Sequence, residues 1–596
     1  MEKVNIRIEG QSYQVEAGLT ILEAARSCGF EIPSLCTFNH GECSQGSCRV
    51  CLVEVKGLKG LVASCVYPVS EGMEILISSH RAMVARRTSV ELLLSNHSQD
   101  CQRCAKNGRC ELLHVAKLTR VRERPHFVGE KTPATYDDVS PAIVRDTGKC
   151  ILCGRCVARC KNIHGTAVLG FENRGFRTLV APVGNISLAE SPCLMCGQCV
   201  SVCPTGALMA KTEIDKVDFA LAAGKHVIVQ TAPAVRAGLG EEFGMPVGTP
   251  VTGKMTAALR RLGFEKVYDT DFGADLTIME EAAELLDRIR NGEKLPMITS
   301  CSPGWISYAE TYYGDLLEHI SSCKSPHQMQ GAVLKSYYAQ KKGIDPADVF
   351  VVSVMPCTAK KSEKERPQLR NRDGLPDVDA VLTVRELGDM IKRAGILFNR
   401  LPDEDFDRDL MGDYSGAAVI FGVTGGVMEA ALRTAYFLLE GREHEAIRFE
   451  AVRGFEDVKE ASFVLGGVEL NVAVTSGMKN AKKLLDEIRA GTSRYQFIEI
   501  MCCPGGCING GGMPIIRRAF LPDEAPDIVS TYREKRAAAL YGEDERRTLR
   551  QSHNNPQIQA LYDDFLGEPC GSLSHELLHT SYAPRAPFRL KDAHKA

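Results

Sequence analysis

Two stretches of sequence decide how the first third of this chain folds: residues 150–160, CILCGRCVARC, and residues 193–204, CLMCGQCVSVCP. Each carries four cysteines spaced C-x2-C-x2-C-x3-C. In paired runs of this kind, which hold two [4Fe–4S] clusters, the fourth cysteine of each run serves the other cluster. We therefore expect one cluster on Cys150, Cys153, Cys156 and Cys203, and a second on Cys193, Cys196, Cys199 and Cys160. Structural zinc is the alternative interpretation of a CxxC pair, and two complete runs in tandem disfavour it.

The cysteines are concentrated in the N-terminal third. Of the 24 cysteines in 596 residues, only seven lie beyond Cys203. The length predicts about four domains, and the fall in cysteine density indicates small modules followed by a large core. The expected fold class is multidomain α+β and α/β. The expected domains are a ferredoxin-like [2Fe–2S] domain at 1–80, a His/Cys3 [4Fe–4S] module at 81–125, a two-[4Fe–4S] ferredoxin domain at 126–210 and a large α/β catalytic domain at 211–596.

Charge and hydropathy exclude several classes of protein. The net charge is −3, with 72 basic and 75 acidic residues, which offers no basic surface for nucleic acid or anionic lipid. The first residues, MEKVNIRIEG, do not have the pattern of a secretory signal. The most apolar later stretch, 219–235, contains Lys225 and His226 and is not expected to span a membrane. We expect a soluble cytoplasmic protein, where cysteines serve as metal ligands rather than disulfides.

The first eighty residues predict a small α+β module with a [2Fe–2S] cluster. VNIRIEG and YQVEAG alternate like a β-hairpin, and LTILEAARSCG has helical spacing. The expected ligands are Cys36, Cys48, Cys51 and Cys65. This module resembles plant-type ferredoxin domains, although the x11 gap from Cys36 to Cys48 replaces their x4 spacing and is similar to that of respiratory and hydrogenase electron-entry subunits. Cys28 and Cys43 do not fit the ligand pattern.

A helical stretch, HRAMVARRTSVELLLSNHSQD, leads into a second kind of cluster motif. Only three cysteines stand in this group, Cys101, Cys104 and Cys110, and a [4Fe–4S] cluster needs four protein ligands. We expect His97 to be the fourth. Because imidazole is neutral where thiolate is anionic, such a ligand shifts the cluster potential, as the histidines of Rieske centres illustrate. Zinc with Cys3His ligation is the competing interpretation.

The remaining sequence predicts an α/β core whose loops carry cysteines. HVIVQTAPAV, LPMITSC, VFVVSVMPC and FIEIMCC have buried-strand character, with helical stretches between them. In parallel sheets, chemistry gathers at the carboxyl ends of strands. There the chain reads TSCSPGW at 299–305, MPCTAKKSE at 355–363 and EIMCCPGGCINGG at 499–511. We therefore expect three cysteine-bearing loops to converge on one metal site.

At these three loops the chain resembles the catalytic subunit of an [FeFe]-hydrogenase. That family has loops of the form TSCxPxW, MPCxxKxxE and ExMxCxxGCxxGG, and all three are present in order. The resemblance implies reversible oxidation of H2 at an H-cluster, which is a [4Fe–4S] cube joined to a two-iron unit carrying CO, cyanide and a dithiolate bridge. The cofactor supplies the reactivity, and the protein supplies orientation, electrostatics and proton delivery.

The resemblance also assigns roles by position. Cys357, Cys503 and Cys507 match cube ligands, with Cys507 in the bridging place. Lys360 would lie against a cyanide ligand, and Met355 and Met501 would pack about the two-iron unit. Glu281, Glu284 and Ser321 occupy the family's proton-relay positions. Without the resemblance, the face formed by Glu281, Glu284 and Arg288 would be interpreted as a solvated salt-bridge surface.

One departure from the family pattern leaves the cube's fourth ligand open. Many relatives read TSCCPGW, where the first cysteine is the proton donor and the second is a cube ligand. Here the second is Ser302, while the third loop has an extra thiol, Cys502. Either Cys301 is the ligand and Cys502 assists proton transfer, or Cys301 remains the donor and Ser302 or Cys502 completes the cube.

Three other functions compete with hydrogenase activity. The N-terminal modules alone are similar to a complex I electron-entry subunit, the core is similar to a cytosolic iron–sulfur assembly factor, and the altered first loop is compatible with a sensory H2-binding protein of low turnover. The expected partners are H2, protons, and ferredoxin and/or a flavin- or NAD(P)-binding subunit. The chain itself has no GxGxxG dinucleotide fingerprint after a strand.

Overall fold

A computed structural model describes the backbone of residues 2–38, 43–121, 127, 129–443, 448–465, 467–517 and 528–588. The expectation that the chain is multidomain α+β and α/β is confirmed, with separate small sheets near the N-terminus and two four-stranded sheets in the core. The domain boundaries given above stay predictions.

The N-terminal sheet has five strands, in the order Gln11–Glu16, Lys3–Ile8, Glu74–Leu76, Leu52–Val55 and Val62–Ala63. The first two form the expected antiparallel hairpin. The helix Ile21–Ser27 begins at Thr20, whose side chain forms a reciprocal capping box with Glu23. Such a box satisfies two backbone donors that the first helical turn leaves unpaired. A further short hairpin pairs Thr37–Phe38 with Cys43–Ser44.

Two helices, His80–Asn96 and Glu111–Leu118, connect this domain to the next. The next domain has a three-stranded sheet in the order Leu208–Ala210, Ile143–Asp146 and Tyr136–Asp137, and a hairpin of Gly170–Glu172 with Leu179–Ala181. Its two helices, Arg155–His164 and Gln198–Val202, each begin in the middle of a cysteine run. Left-handed Gly154 and Gly197 precede them, a conformation that only glycine adopts without strain.

The core contains two sheets. The first is fully parallel, in the order Lys266–Asp269, His226–Thr231, Val349–Met355 and Ala380–Thr383. The second is mixed, in the order Met297–Ile298, Phe497–Met501, Val468–Ser476 and Val458–Leu465, with its last pair antiparallel. The carboxyl ends of three of these strands, at Ile298, Met355 and Met501, lead directly into the three cysteine-bearing loops.

Helices surround these sheets on both faces. They include Ile214–Ala222, Pro233–Gly238, Thr252–Arg261, Thr270–Asn291, Pro303–Tyr312, Pro326–Val333, Ala339–Lys342, Ala359–Glu363, Val384–Arg393, Gly416–Val419, Gly426–Glu440, Met478–Arg489, Ile528–Arg546, Pro556–Leu561 and Ser572–Leu578. Within the ranges that the structure describes, every helix is too short or too polar to cross a lipid bilayer.

The domain with the paired cysteine runs is docked on the cysteine loops of the core. Thr358 Oγ1 donates to the Met195 carbonyl oxygen at 2.6 Å, and Gln198 Nε2 donates to the Asn509 carbonyl oxygen at 2.9 Å. A methyl group added to Gly511 would lie 2.3 Å from the Cys196 carbonyl oxygen. At Gly511 the two backbones therefore approach each other without an intervening side chain, so the cysteine groups of the two domains are brought close together.

Candidate metal centre and proton path

The three predicted loops converge on one cavity with an empty volume of about 820 Å³. It is lined by every core residue that the sequence assigned to the metal site: Cys301, Ser302, Met355, Cys357, Lys360, Met501, Cys502, Cys503 and Cys507. Glycines let the backbone close around it. At Gly506, φ is +94° and an added Cβ would lie 2.6 Å from the Thr424 nitrogen, and at Gly510 it would lie 2.2 Å from the Pro356 oxygen.

The thiols of Cys357, Cys503 and Cys507 lie close enough for their charges to interact. Desolvation raises the pKa of Cys507 to about 12, with the charge of Cys503 adding to it. Thiols with raised pKa values stay protonated until a metal displaces their protons, and thiolates are the soft ligands that iron–sulfur clusters require. The set therefore fits the three cube ligands that the resemblance implies.

Lys360 is the cation of the cavity wall. Its Nζ donates to the Cys301 carbonyl oxygen at 3.1 Å and pairs with the Glu363 carboxylate at 3.0 Å. Glu363 is held in turn by His327 Nε2 at 2.6 Å. Burial together with the Lys360 charge lowers the pKa of His327 to about 4. A buried cation with a fixed partner provides oriented positive charge where a dry cavity holds anionic groups.

A second set of predicted residues forms a chain from the cavity toward the surface. Arg288 Nη2 pairs with Glu284 Oε1 at 2.6 Å, and Ser321 Oγ donates to Glu284 Oε2 at 2.7 Å. Both residues of the Arg288–Glu284 pair are partly exposed. The next carboxylate, Glu281, is only 1% exposed. It lies near the Cys301 thiol, whose pKa is raised first by burial and then by the charge of Glu281.

Glu281 has an unusual environment for a carboxylate. Neither of its carboxylate oxygens accepts a well-formed hydrogen bond among the described residues, although the Ser300 N–H and the Ser321 hydroxyl lie close enough to favour its ionised form. Burial raises the pKa of Glu281 to about 8 from its ordinary 4.5, and the charge of Glu284 adds to this shift. Desolvation of this kind is how proteins keep a carboxyl group protonated near neutral pH. The group is thus suited to donate and accept protons at neutral pH rather than to form a salt bridge.

The paired cysteine runs bring their ligands together in the expected crossed arrangement. Cys150, Cys153, Cys156 and Cys203 line one cavity with an empty volume of about 430 Å³. The thiols of Cys193, Cys196, Cys160 and Cys199 interact with one another in the second group. Thus each run contributes its fourth cysteine to the other group.

The N-terminal ligands are also assembled. Cys36, Cys48, Cys51 and Cys65 are buried, and their thiols are in mutual contact. His97 is buried at the end of the helix His80–Asn96, and its Nδ1 has no hydrogen-bond partner in the described part of the chain. The Cys110 thiol lies within the electrostatic range of Cys101 and Cys104. An orphaned imidazole nitrogen and three interacting thiols are donor types that fit a metal ligand set, and the role of His97 as the fourth ligand stays a prediction.

Sequence reasoning missed several residues of this site. His164 Nε2 lies 3.2 Å from Cys196 Sγ. Cys323, which the sequence left without a role, is fully buried, with its Sγ 3.8 Å from Glu284 Oε2. His579 lies 3.0 Å from Glu280 and 2.8 Å from Ser322, both next to relay residues. His164 lies one helical turn after Cys160, and this spacing could have identified it from the sequence. The contacts of Cys323 and His579 join segments that are far apart in the sequence, so no local pattern indicates them.

Sequence profiles of known families match nearly the whole chain. They are the 2Fe-2S iron-sulfur cluster binding domain at 1–80, the NADH-ubiquinone oxidoreductase-G iron-sulfur binding region at 86–125, the 4Fe-4S dicluster domain at 149–207, the C-terminal domain of the iron only hydrogenase large subunit at 225–511 and the iron hydrogenase small subunit at 530–585. The last match was not anticipated, since the sequence predicted one domain over 211–596.

Individual relatives cover the chain from end to end. The NADP-reducing hydrogenase subunit HndD of Solidesulfovibrio fructosivorans is 49% identical, over 98% of this chain and 100% of that protein. Iron hydrogenase 1 of Clostridium pasteurianum is 43% identical, over 97% of this chain and 99% of that protein. Among solved structures, a variant of [FeFe]-hydrogenase HydA1 from Chlamydomonas reinhardtii is 42% identical with a TM-score of 0.56, over 63% of this chain and 99% of that one.

These matches confirm the expected cofactors, one [2Fe–2S] cluster, accessory [4Fe–4S] clusters and an H-cluster. They also confirm the expected activity, reversible interconversion of H2 with protons and electrons that accessory clusters relay. This chain matches the hydrogenase large-subunit domain as well as the N-terminal iron–sulfur domains, which removes the electron-entry subunit as an alternative, because that interpretation used the N-terminal modules alone. With its three-loop cavity and its row of accessory ligand sets, this chain belongs to the [FeFe]-hydrogenase family.

Proposed function

We propose that this chain is the H2-converting subunit of an NADP-linked hydrogenase, with named residues in the following roles. The observation that carries the proposal is that Cys301 and Lys360 line one cavity and that the buried Glu281 lies close enough to Cys301 to raise the pKa of its thiol. Cys357, Cys503 and Cys507 would hold the cube, with Cys507 bridging to the two-iron unit. Met355 and Met501, both 3% exposed, would form an apolar wall against it. The two-iron unit, when bound, supplies the chemistry of the H–H bond.

Protons move along this chain's own side chains. In H2 formation, Glu284, which Arg288 holds near the surface, takes up a proton from solvent, Ser321 carries it inward, and Glu281 passes it to the Cys301 thiol. In H2 oxidation the same groups run in reverse. Each group in such a relay must lie within hydrogen-bond reach of the next, directly or through one water molecule. Lys360 holds positive charge beside the anionic ligands of the cavity and fixes the first loop through the Cys301 carbonyl oxygen.

Electrons reach the cavity through a different part of the molecule from protons. We propose that the second cluster of the paired runs, on Cys193, Cys196, Cys199 and Cys160, exchanges electrons with the cube. The support is the packing of Gly511 and Gly197 against each other at the junction. His164, whose ring nitrogen contacts Cys196 Sγ, would tune this cluster, because hydrogen bonds to ligand sulfurs shift reduction potentials.

The electron partner is proposed from the relatives. HndD is named as one subunit of an NADP-reducing hydrogenase, and it aligns with this chain over its full length. We therefore propose that the NADP site lies on a separate subunit and that ferredoxin is a second candidate partner. A cytoplasmic location stays a prediction.

The proposal is tested with chain isolated anaerobically from its native host and with the same chain purified alone. We expect the lone chain to evolve H2 from a reduced viologen dye and to reduce NADP+ with H2 only when the co-purifying subunits are present. NADP+ reduction by the lone chain would contradict a partner-borne nucleotide site.

A sensory role is the second candidate, and Ser302 is the observation that favours it, since many active relatives have cysteine there. Intact infrared bands of CO and cyanide with negligible turnover in the viologen assay would favour the sensor over the enzyme.

A further inference from the structure

We infer that Cys502, from the third loop, is the fourth protein ligand of the cube, and that Ser302 positions it. The inference rests on the cube ligands proposed above. Four residues lining the cavity besides Cys357, Cys503 and Cys507 carry a thiol or a serine hydroxyl: Cys196, Cys301, Ser302 and Cys502. Cys196 already belongs to the neighbouring group of thiols, so the choice lies among the other three.

Cys301 and Cys502 lie on different sides of the cavity. Cys301 packs against the apolar cluster that contains Ala274, Phe421 and Met501. The charges that act on its thiol are those of Glu281, Lys360, Cys507 and Glu499. It therefore faces the proton path and the thiol that bridges to the two-iron unit, the position that a proton donor requires.

Cys502 faces the accessory clusters. It is buried in the apolar cluster formed by Leu194, Trp305 and Ile500, with Cys196 packed against it. Its thiol is in hydrogen-bonding contact with the thiols of Cys503 and Cys196. Cys503 is a proposed cube ligand and Cys196 belongs to the neighbouring cluster, so the Cys502 thiol lies between the two redox groups.

Ser302 is occupied with another task. Its Oγ accepts a hydrogen bond from the Cys502 backbone N–H at 3.1 Å, which joins the first loop to the third. Iron–sulfur clusters take thiolate ligands, and a hydroxyl is a poor substitute for one. Ser302 therefore orients the loop that carries the ligand instead of binding the metal itself.

Gly304 provides the space for the thiol. A Cβ at this position would lie 2.6 Å from Cys502 Sγ and 3.1 Å from Cys502 Cβ. Contacts between 2.6 Å and 3.1 Å are shorter than carbon and sulfur allow, so the first loop is shaped to receive the Cys502 side chain. Compared with the family pattern, the fourth ligand thus lies on the third loop instead of the first, and the two loops remain in contact.

The test uses full-length chain prepared without the two-iron unit, with iron content and the electron paramagnetic resonance spectrum of the reduced clusters as readouts. We expect Cys502→Ala to lose about four irons per chain, the content of one cube, whereas Cys301→Ala and Ser302→Ala retain them. In a Cys502→Ala background, Ser302→Cys should restore the iron, because the new thiol enters the same side of the cavity from the first loop.

Two reference variants make the outcome specific. Cys503→Ala is the reference for loss of the cube. Full iron content in this variant would refute the proposed set of cube ligands, not the assignment of Cys502 in particular. Cys193→Ala should show what loss of the neighbouring cluster looks like. The inference is overturned if Cys502→Ala keeps its iron, if it reproduces the Cys193→Ala spectrum, if Cys301→Ala loses the cube, or if Ser302→Cys fails to restore it.

Discussion

Glu281 is the residue whose environment departs furthest from that of an ordinary glutamate. It is buried, and in the described part of the chain neither oxygen accepts a well-formed hydrogen bond. We expect Glu281→Gln to lower the rate of H2 evolution by about 10²- to 10⁴-fold, the usual contribution of a positioned acid or base. The infrared bands of the CO and cyanide ligands should stay unchanged, because glutamine preserves the shape of the side chain but carries no transferable proton.

The helix that carries Glu281 offers a matched control. Asp287 is exposed on the same helix, Thr270–Asn291, so Asp287→Asn should keep the wild-type rate. Glu284→Gln should resemble Glu281→Gln, since Ser321 donates to the Glu284 carboxylate. Wild-type turnover in both glutamate variants would return this helix face to the solvated salt-bridge surface that its sequence spacing alone suggests.

The pKa of Glu281 predicts how activity depends on pH. Burial raises this pKa to about 8, so the carboxyl is protonated below pH 8 and ionised above it. We expect the rate of H2 evolution to fall as pH rises through about 8, and this limb to vanish in Glu281→Gln. Between pH 4.5, the ordinary pKa of a glutamate, and pH 8, the Glu281 carboxyl binds more protons in the folded chain than in the unfolded chain. The contribution of Glu281 to the free energy of unfolding should therefore decline as pH rises through this range. A pH profile of dye-linked H2 evolution checks the activity, and a flat profile through pH 8 would contradict the assignment.

Among secondary-structure elements, the helix Gly426–Glu440 shows how the third loop is fixed to the core. Glu499 accepts the Gly425 N–H at 2.6 Å and the Met428 N–H at 2.8 Å. In Glu499→Gln, one of these two buried N–H donors faces the amide NH2 group and loses its acceptor. This loss should lower the free energy of unfolding by about 1–3 kcal/mol. We expect a lower midpoint in thermal unfolding and less iron retained in the cube, whereas exposed Glu469→Gln should change neither. An unchanged midpoint in Glu499→Gln would mean that these two bonds contribute little.

Elements with a clear period could be predicted from the sequence, and contacts between distant elements could not. The hairpin, the helix before His97 and the buried strands all follow from hydrophobic spacing. The bond from Cys502 to Ser302 spans 200 residues, so no local pattern contains it. For this reason the sequence left three candidates for the fourth ligand.

At the scale of the whole molecule, the folded chain separates proton transfer from electron transfer. The proposed relay of Glu284, Ser321 and Glu281 approaches the cavity beside the helix Thr270–Asn291, whereas the paired cysteine runs approach it from the loops around Met195 and Cys196. The family resemblance predicted both routes from the sequence. Their separation depends on how the ferredoxin-like domain docks on the core, which only tertiary structure reveals.

This separation predicts that electron transfer can be interrupted without stopping the chemistry. We expect Cys193→Ala, which removes one ligand of the cluster nearest the cavity, to lower H2-dependent reduction of the partner acceptor at least about tenfold, because every electron passes that cluster. Exchange of H2 with D2O should continue, since it needs only the H-cluster and the proton path. Cys28→Ala, at a cysteine outside every proposed ligand set, is the matched control and should retain both activities. Parallel loss of isotope exchange and acceptor reduction in Cys193→Ala would mean that this cluster maintains the cavity itself, and the two routes would not be independent.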